Sequence, residues 1–196
     1  AGNIGTELAR RAIAFGMRVI AYDPYIDRRQ ASAMGIEAVD SLETLLDQAD
    51  FISLHPALTP ETRHLIGQAE LARMKSTAFL INVSRGPVVD EAALVSHCRK
   101  HPDFRAGLDV FEDEPTLKPG LVELDNVVIV PHIASATRWT REGMAALAAA
   151  NVAGVLLGYP ARQQDDTRPF LTDTPPKAAP SLVNAEDLGY PVASEL

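Results

Sequence analysis

Cysteine is nearly absent: Cys98 is the single one in 196 residues. That excludes an internal disulfide framework and points to a reducing compartment. Positive charge is in deficit, with 18 Lys and Arg against 26 Asp and Glu, a net charge of -8. Nucleic acid or an anionic membrane surface is therefore a poor partner. Long apolar runs are missing as well. The longest candidate, Gly143 to Gly158, is 16 residues interrupted by Asn151. A bilayer crossing needs about 20, and this stretch is rich in Ala rather than Leu or Ile. No internal repeat recurs along the chain. An initiator Met is also lacking, since the chain opens directly on Ala1-Gly2-Asn3-Ile4-Gly5. The expectation is a fragment that begins inside a motif, with any targeting signal outside it.

What is present is ordinary globular material, 46% apolar and 22% charged. The length suits one large domain, or one domain and part of another. Ile4, Leu8, Ala12 and Phe15 recur at helical spacing and end at Gly16, a C′ glycine. Met17 to Tyr22 reads as a buried strand. Ser41 is an N-cap for a helix that carries Leu42, Leu45, Leu46 and Ala49 on one face. Phe51 to Leu54 and Ala78 to Val83 read as strands, and a helix follows from about Asp90 to Arg99. Phe104 to Val110 and Val127 to Val130 complete the set. Strands buried on both faces and alternating with helices indicate a parallel α/β sheet.

From Thr137 to Leu157 the pattern is one long helix, about 32 Å at 1.5 Å per residue. Its stripe of Trp139, Gly143, Leu147, Ala150, Gly154 and Leu157 is rich in small residues, which suits close packing. Gly158 and Pro160 stop it. Six prolines then fall in the last 38 residues, a tail that wraps over something or stays loose.

Gly2-Asn3-Ile4-Gly5 has the form of the second half of G-x-G-x-x-G. Such glycines let backbone approach a pyrophosphate, and the helix N-terminus supplies amide donors. Asp23, about 18 residues beyond Gly5 and just past a strand, can accept from ribose hydroxyls and repel a 2′-phosphate. The alternative for Asp23 is a turn residue before Pro24. Asn82-Val83-Ser84-Arg85-Gly86 follows the strongest strand signal, where α/β sheets bind ligands. Arg85 can grip a carboxylate with two parallel N–H bonds. Its alternative is a surface arginine paired with Asp90 or Glu91. Asp109 ends another strand, Glu114 follows in its loop, and His132 follows a fourth strand. Arg, Glu and His at separate strand ends meet the needs of carbonyl reduction. The His gives a proton to the carbonyl oxygen, and a neighbouring carboxylate favours its charged form. Each residue alone has a bland reading; the three together point to chemistry.

His97, Cys98 and His101 invite a metal, yet no fourth ligand stands at the usual spacing. They sit at a helix end before Pro102, where cations complement the dipole. Cys98 reads as a buried thiol. His64 reads as a surface residue on a short polar helix.

The segments AGNIG, INVSRGPVVDEAAL, AGLDVFEDEP and VPHIASAT together resemble the D-2-hydroxyacid dehydrogenase family. The spacing in Leu54-His55-Pro56-Ala57-Leu58-Thr59 is one residue shorter than in many members. It looks like the branch of plant-type NADH-dependent hydroxypyruvate reductases. Arg138 to Met144, Gly158-Tyr159-Pro160 and Pro180 to Asn184 resemble that branch too.

The resemblance implies a Rossmann-like doubly wound parallel sheet whose first strand is missing. Residues 1–136 would form the NAD-binding domain, incomplete at its start, and 137–158 a linking helix. Residues 159–196 would pack on a largely absent substrate domain. The isolated chain is then expected to fold poorly and turn over nothing.

Arg85 would bind the substrate carboxylate and keto oxygen, His132 would be general acid and base, and Glu114 would orient it. NAD would be held by Gly2, Asn3, Ile4, Gly5, Asp23, His55, Pro56, Val83, Ser84 and Asp109. The substrate would be a small 2-keto or 2-hydroxy acid, hydroxypyruvate before glyoxylate. The partner would be a second copy, since family members are usually dimers. Other readings are another D-2-hydroxyacid specificity, such as phosphoglycerate, and a non-catalytic NAD(H)-sensing corepressor-like protein. Formate dehydrogenases have Gln where Glu114 stands. Plant relatives tend to end in a Ser-Lys-Leu peroxisomal address; Ser194-Glu195-Leu196 reverses the charge at its centre and is a poor signal. The compartment, cytosol or organelle matrix, is left open.

Overall fold

The structure is a computed structural model and describes residues 2–162, 178–179, 182, 184–185 and 187–192. Two compact units divide at Ile133 and Ala134.

The first unit opens with α1 (Asn3–Ala14), which stops at Gly16 with φ +79°. Only glycine adopts that conformation freely. Ala9 and Ile13 pack with Ala31 and Ile36 in a small apolar cluster, while Ile4 and Leu8 stay exposed. β1 (Val19–Ala21), α2 (Arg28–Ala33) and β2 (Ile36–Ala38) follow. The Asp27 carboxylate caps α2 by accepting from the Arg29 and Gln30 amides. α2 and β2 are too short, at 6 and 3 residues, to show a hydrophobic period. α3 (Leu42–Gln48) is capped by Ser41 Oγ, which accepts from the Thr44 amide at 3.1 Å. β3 (Phe51–Leu54), α4 (Gln68–Arg73), β4 (Phe79–Asn82), α5 (Glu91–Lys100), β5 (Arg105–Leu108) and β6 (Val127–Ile129) complete the unit. α4 is unforeseen. The expected helix around His64 is instead a turn, with His64 at φ +53°.

All strand pairings are parallel. β3, β4, β5 and β6 lie side by side in that order, and β1 pairs with β2 alone. The break between β1 and β3 falls where the 3-2-1-4-5-6 order places its first strand.

The strands are not buried on both faces as expected. Ile52, Leu54, Leu80, Ala106 and Leu108 are buried with Leu46, Leu71 and Leu94 of α3, α4 and α5. Each fully buried leucine is worth about 2 kcal/mol. The residues between them point the other way, and exposed Phe51 and Phe79 stack there at 4.8 Å.

The helix-end histidines are corrected in part. His97 packs edge-on to Phe104 at 4.7 Å and beside His101 at 4.4 Å. Burial, then the His101 and Lys100 charges, push the His97 ring below its ordinary value, which disfavours its charged form at this helix end. Among the described residues no group of three metal-ligand side chains occurs. Cys98 is buried, and burial pushes its thiol up to about 11.

In the second unit, α6 (Arg138–Leu156) starts at Thr137, whose hydroxyl accepts from the Thr140 amide. Of the expected stripe, Gly154 is buried while Trp139 and Leu157 are exposed. A Cβ at Gly154 would stand 2.9 Å from the Ala179 backbone. Tyr190 Oη donates to the Tyr159 carbonyl at 2.8 Å. Most of the proline-rich tail, Ser194-Glu195-Leu196 included, lies outside the described residues. No described helix is long and apolar enough to cross a membrane.

Candidate active site

Parallel strands β4, β5 and β6 end on one edge, and three loops leave from there. After β4, buried Asn82 shapes the first loop. Its Oδ1 accepts from the Ser84 amide and hydroxyl at 3.1 and 2.9 Å, and its Nδ2 donates to the Arg85 carbonyl at 3.0 Å. A polar residue in an apolar strand is the signal that could have marked it. Val83 is half-buried in this turn and Arg85 is exposed. Arg85 Nη1 donates to the Ser84 carbonyl at 2.6 Å. It makes no ion pair among the described residues, so pairing with Asp90 or Glu91 is not seen. Asp90 instead caps α5, accepting from the Ala93 amide at 3.0 Å, and Glu91 is buried.

The loop after β5 lies directly against this turn. A Cβ on Gly86 would stand 1.8 Å from the Phe111 carbonyl oxygen, so only glycine fits. Asp109 is buried, and its Oδ1 accepts from the Ile133 amide at 2.6 Å. Its carbonyl accepts from the His132 amide at 2.9 Å. Asp109 thus braces the loop after β6 from both sides of its own residue.

His132 stands at φ +51°, a left-handed conformation that costs a non-glycine residue about 1–2 kcal/mol. Its Nδ1 donates to Glu114 Oε2 at 2.9 Å. The other Glu114 oxygen accepts from the Phe111 amide at 3.1 Å. The His132 bond, with help from Phe111, holds the Glu114 carboxyl below the usual carboxylate range. The structure therefore brings Glu114 and His132 into one half-exposed hydrogen-bonded pair. With Nδ1 engaged, Nε2 is the ring nitrogen left for other chemistry.

His55 and Pro56 follow β3 on the same edge. His55 Nε2 shares a hydrogen bond with Ser53 Oγ at 3.0 Å, and burial pushes its ring below the ordinary value.

The glycine segment stands at the start of α1. Gly2 is the N-cap, with nothing within 4 Å of an added Cβ. α1 has no side-chain cap and no acidic residue in its first turn; α4 likewise starts on a glycine, Gly67, without a side-chain cap, but carries Glu70 in its first turn. Among the described residues the amides of Asn3, Ile4 and Gly5 meet no side-chain acceptor, which fits a pyrophosphate. Asp23 lies just past β1, and its Oδ1 accepts from the Tyr25 amide at 2.9 Å. It is a turn residue at the strand end, and these two descriptions are compatible.

The chain thus combines a parallel α/β sheet, a glycine-led helix start and a His–Glu pair at neighbouring strand ends. Residues 1–134 match the model of the D-isomer specific 2-hydroxyacid dehydrogenase, NAD binding domain, and the chain belongs to that family. It is 48% identical to glycerate dehydrogenase HPR, peroxisomal, of Arabidopsis thaliana, over 98% of this chain and 55% of that protein. It is 49% identical to glycerate dehydrogenase of Cucumis sativus, over 96% of this chain and 54% of that one. A glyoxylate reductase structure from Paecilomyes thermophila aligns with TM-score 0.71 and 39% identity, covering 78% of this chain and 46% of that chain. The chain therefore spans about half the length of the curated relatives it matches.

Proposed function

We propose that the protein carrying this chain reduces hydroxypyruvate to D-glycerate, and glyoxylate more slowly to glycolate, with NADH. The observation that carries this reading is the Glu114–His132 pair at 2.9 Å. The two glycerate dehydrogenases among the relatives support hydroxypyruvate as the preferred acid. Residues 1–136 serve as the cofactor-binding part, and the protein acts as a homodimer.

Gly2, Asn3, Ile4 and Gly5 would hold the pyrophosphate and Asp23 the ribose. His55, Pro56, Val83, Ser84 and Asp109 would complete the cofactor site. Bound NADH supplies the hydride that the keto carbon accepts. Arg85 grips the substrate carboxylate with paired N–H groups and holds the keto oxygen. Protonated His132 gives the Nε2 proton to that oxygen, so the keto acid gains one hydride and one proton. Glu114 holds Nδ1–H, fixes the ring and balances its positive charge.

The test is NADH consumption by the complete native protein with hydroxypyruvate, glyoxylate and 3-phosphohydroxypyruvate compared. Fast turnover favouring hydroxypyruvate supports the proposal. Preference for the phosphorylated acid moves the protein toward its phosphoglycerate dehydrogenase relatives, one of which is 39% identical over 96% of this chain. NADH binding without turnover leaves a nucleotide sensor.

Glu114→Gln tests the acid–base pair separately. The amide carries no charge to balance the imidazolium. The alkaline limb of the reduction profile therefore moves to lower pH, and the rate near neutrality falls about tenfold or more. An unchanged profile removes this role from Glu114.

A further inference from the structure

Behind the edge of the sheet lies a second group of polar side chains that the reaction above does not use. Glu91, the first residue of α5, is 1% exposed. Its Oε1 accepts from the Glu112 amide at 2.6 Å, and its Oε2 is buried without a hydrogen-bond partner among the described residues. The Glu112 side chain is itself buried, and its Oε1 accepts from His64 Nε2 at 2.8 Å. Arg63 and Lys118 stand 3.8 and 3.7 Å from the same carboxylate. His64 also donates its amide to the Pro87 carbonyl at 2.7 Å. It does so from a left-handed backbone at φ +53°, a conformation that persists where surrounding contacts impose it.

These bonds join two particular loops. Pro87 and Glu91 belong to the segment that leaves Arg85 and enters α5. Glu112 lies between Phe111, whose amide binds Glu114, and Glu114 itself. Gly86 backs onto Phe111 and Glu112 with no room for a Cβ. On the proposed reading the guanidinium and the acid–base pair act on one small substrate, and these contacts tie their loops together.

We propose that Glu91, assisted by Glu112 and His64, is a positioning residue that sets where Glu114 stands relative to Arg85. The inference rests on the keto-acid reductase reading. Burial, followed by the Glu112 and Asp113 charges, pushes the Glu91 carboxyl above its ordinary value. A neutral amide of the same shape should therefore replace it well, whereas removal of the acceptor should not.

The experiment uses the complete native protein with Glu91→Ala, Glu91→Gln and His64→Asn. In Glu91→Ala, kcat for hydroxypyruvate falls about 100-fold, the penalty of roughly an ångström of misplacement. NADH affinity is unchanged, and the alkaline limb of the pH profile shifts down in the manner of Glu114→Gln. Glu91→Gln recovers kcat to within about threefold of the parent. His64→Asn keeps a residue suited to left-handed backbone and changes an exposed ring, so it folds even where Glu91→Ala does not. It lowers kcat about tenfold with the same displacement of the limb.

Parental kcat and pH profile in Glu91→Ala, with only a lowered Tm, overturn the proposal. Equal losses in the Ala and Gln variants overturn it too. A parent that reduces no keto acid defeats the functional reading alone. In that case His132 ring titration by NMR decides the positioning claim. A lower titration midpoint in Glu91→Ala or His64→Asn supports it, and an unmoved one overturns it.

Discussion

On the proposed reductase reading, replacing His132 with Asn is expected to lower the rate of keto-acid reduction by about 10³-fold while NADH binds as before. The substitution is chosen from the backbone. His132 stands at φ +51°, and Asn is among the residues that tolerate the left-handed region best. The amides of His132 and Ile133, held by the Asp109 carbonyl and carboxylate, stay where they are. The Asn amide is no acid at neutral pH, so the developing alkoxide receives no proton from the protein. Single-turnover rates beside NADH binding by fluorescence make the measurement. A fall in rate with lost NADH affinity would indicate a rearranged loop, and a rate near the parent's would place the acid elsewhere.

The second large effect concerns stability. Gly86→Ala is expected to cost about 3 kcal/mol or more. The added carbon would sit 1.8 Å from the Phe111 oxygen, 1.9 Å from its carbonyl carbon and 2.5 Å from the Glu112 nitrogen. All three are main-chain atoms, and none can rotate away. The neighbouring turns are held by Asn82 and Glu91, so strain on one loop passes to the other. Against a total near 10 kcal/mol for a typical domain, the variant should show a sharply lower urea midpoint. Gly107→Ala is the control in the same fold. Its Cβ would meet nothing closer than Ile81 Cγ1 at 3.9 Å, an ordinary contact. Equal midpoints for the two variants would refute the packing argument.

Much of the architecture was legible because its signals are local. Ser41 and Thr137 are the observed caps, and the expected starts of α3 and α6 follow from them. The strands before Arg85 and His132 were visible as short apolar runs. α2, β2 and α4 were not, since three to six residues hold too few turns or alternations to show a period. In β3 and β4 a continuous apolar run conceals a one-sided pattern of burial and leaves Phe51 and Phe79 exposed. Arg85, Glu114 and His132 stood out because each charged or titratable residue follows an apolar strand. Glu91 and His64 did not. Their partner Glu112 lies 21 and 48 residues away, and no local pattern encodes that meeting. The local pattern around His64 suits a helix, yet its backbone is dictated by Pro87 and Glu112 rather than by its neighbours in sequence.

The order of strands in the main sheet also bears on how the chain acquires its structure. β3, β4, β5 and β6 are adjacent in space in the order of their synthesis. Within this four-stranded sheet each new strand pairs with the strand just before it in sequence. Each closure spans one connection between successive strands, a smaller entropy cost than pairing with a more distant segment, while the parallel pairing itself remains slow beside local helix formation. The loops after β4 and β5 can meet through Gly86 before β6 is complete. His132 is added last, onto a frame that already holds Glu114.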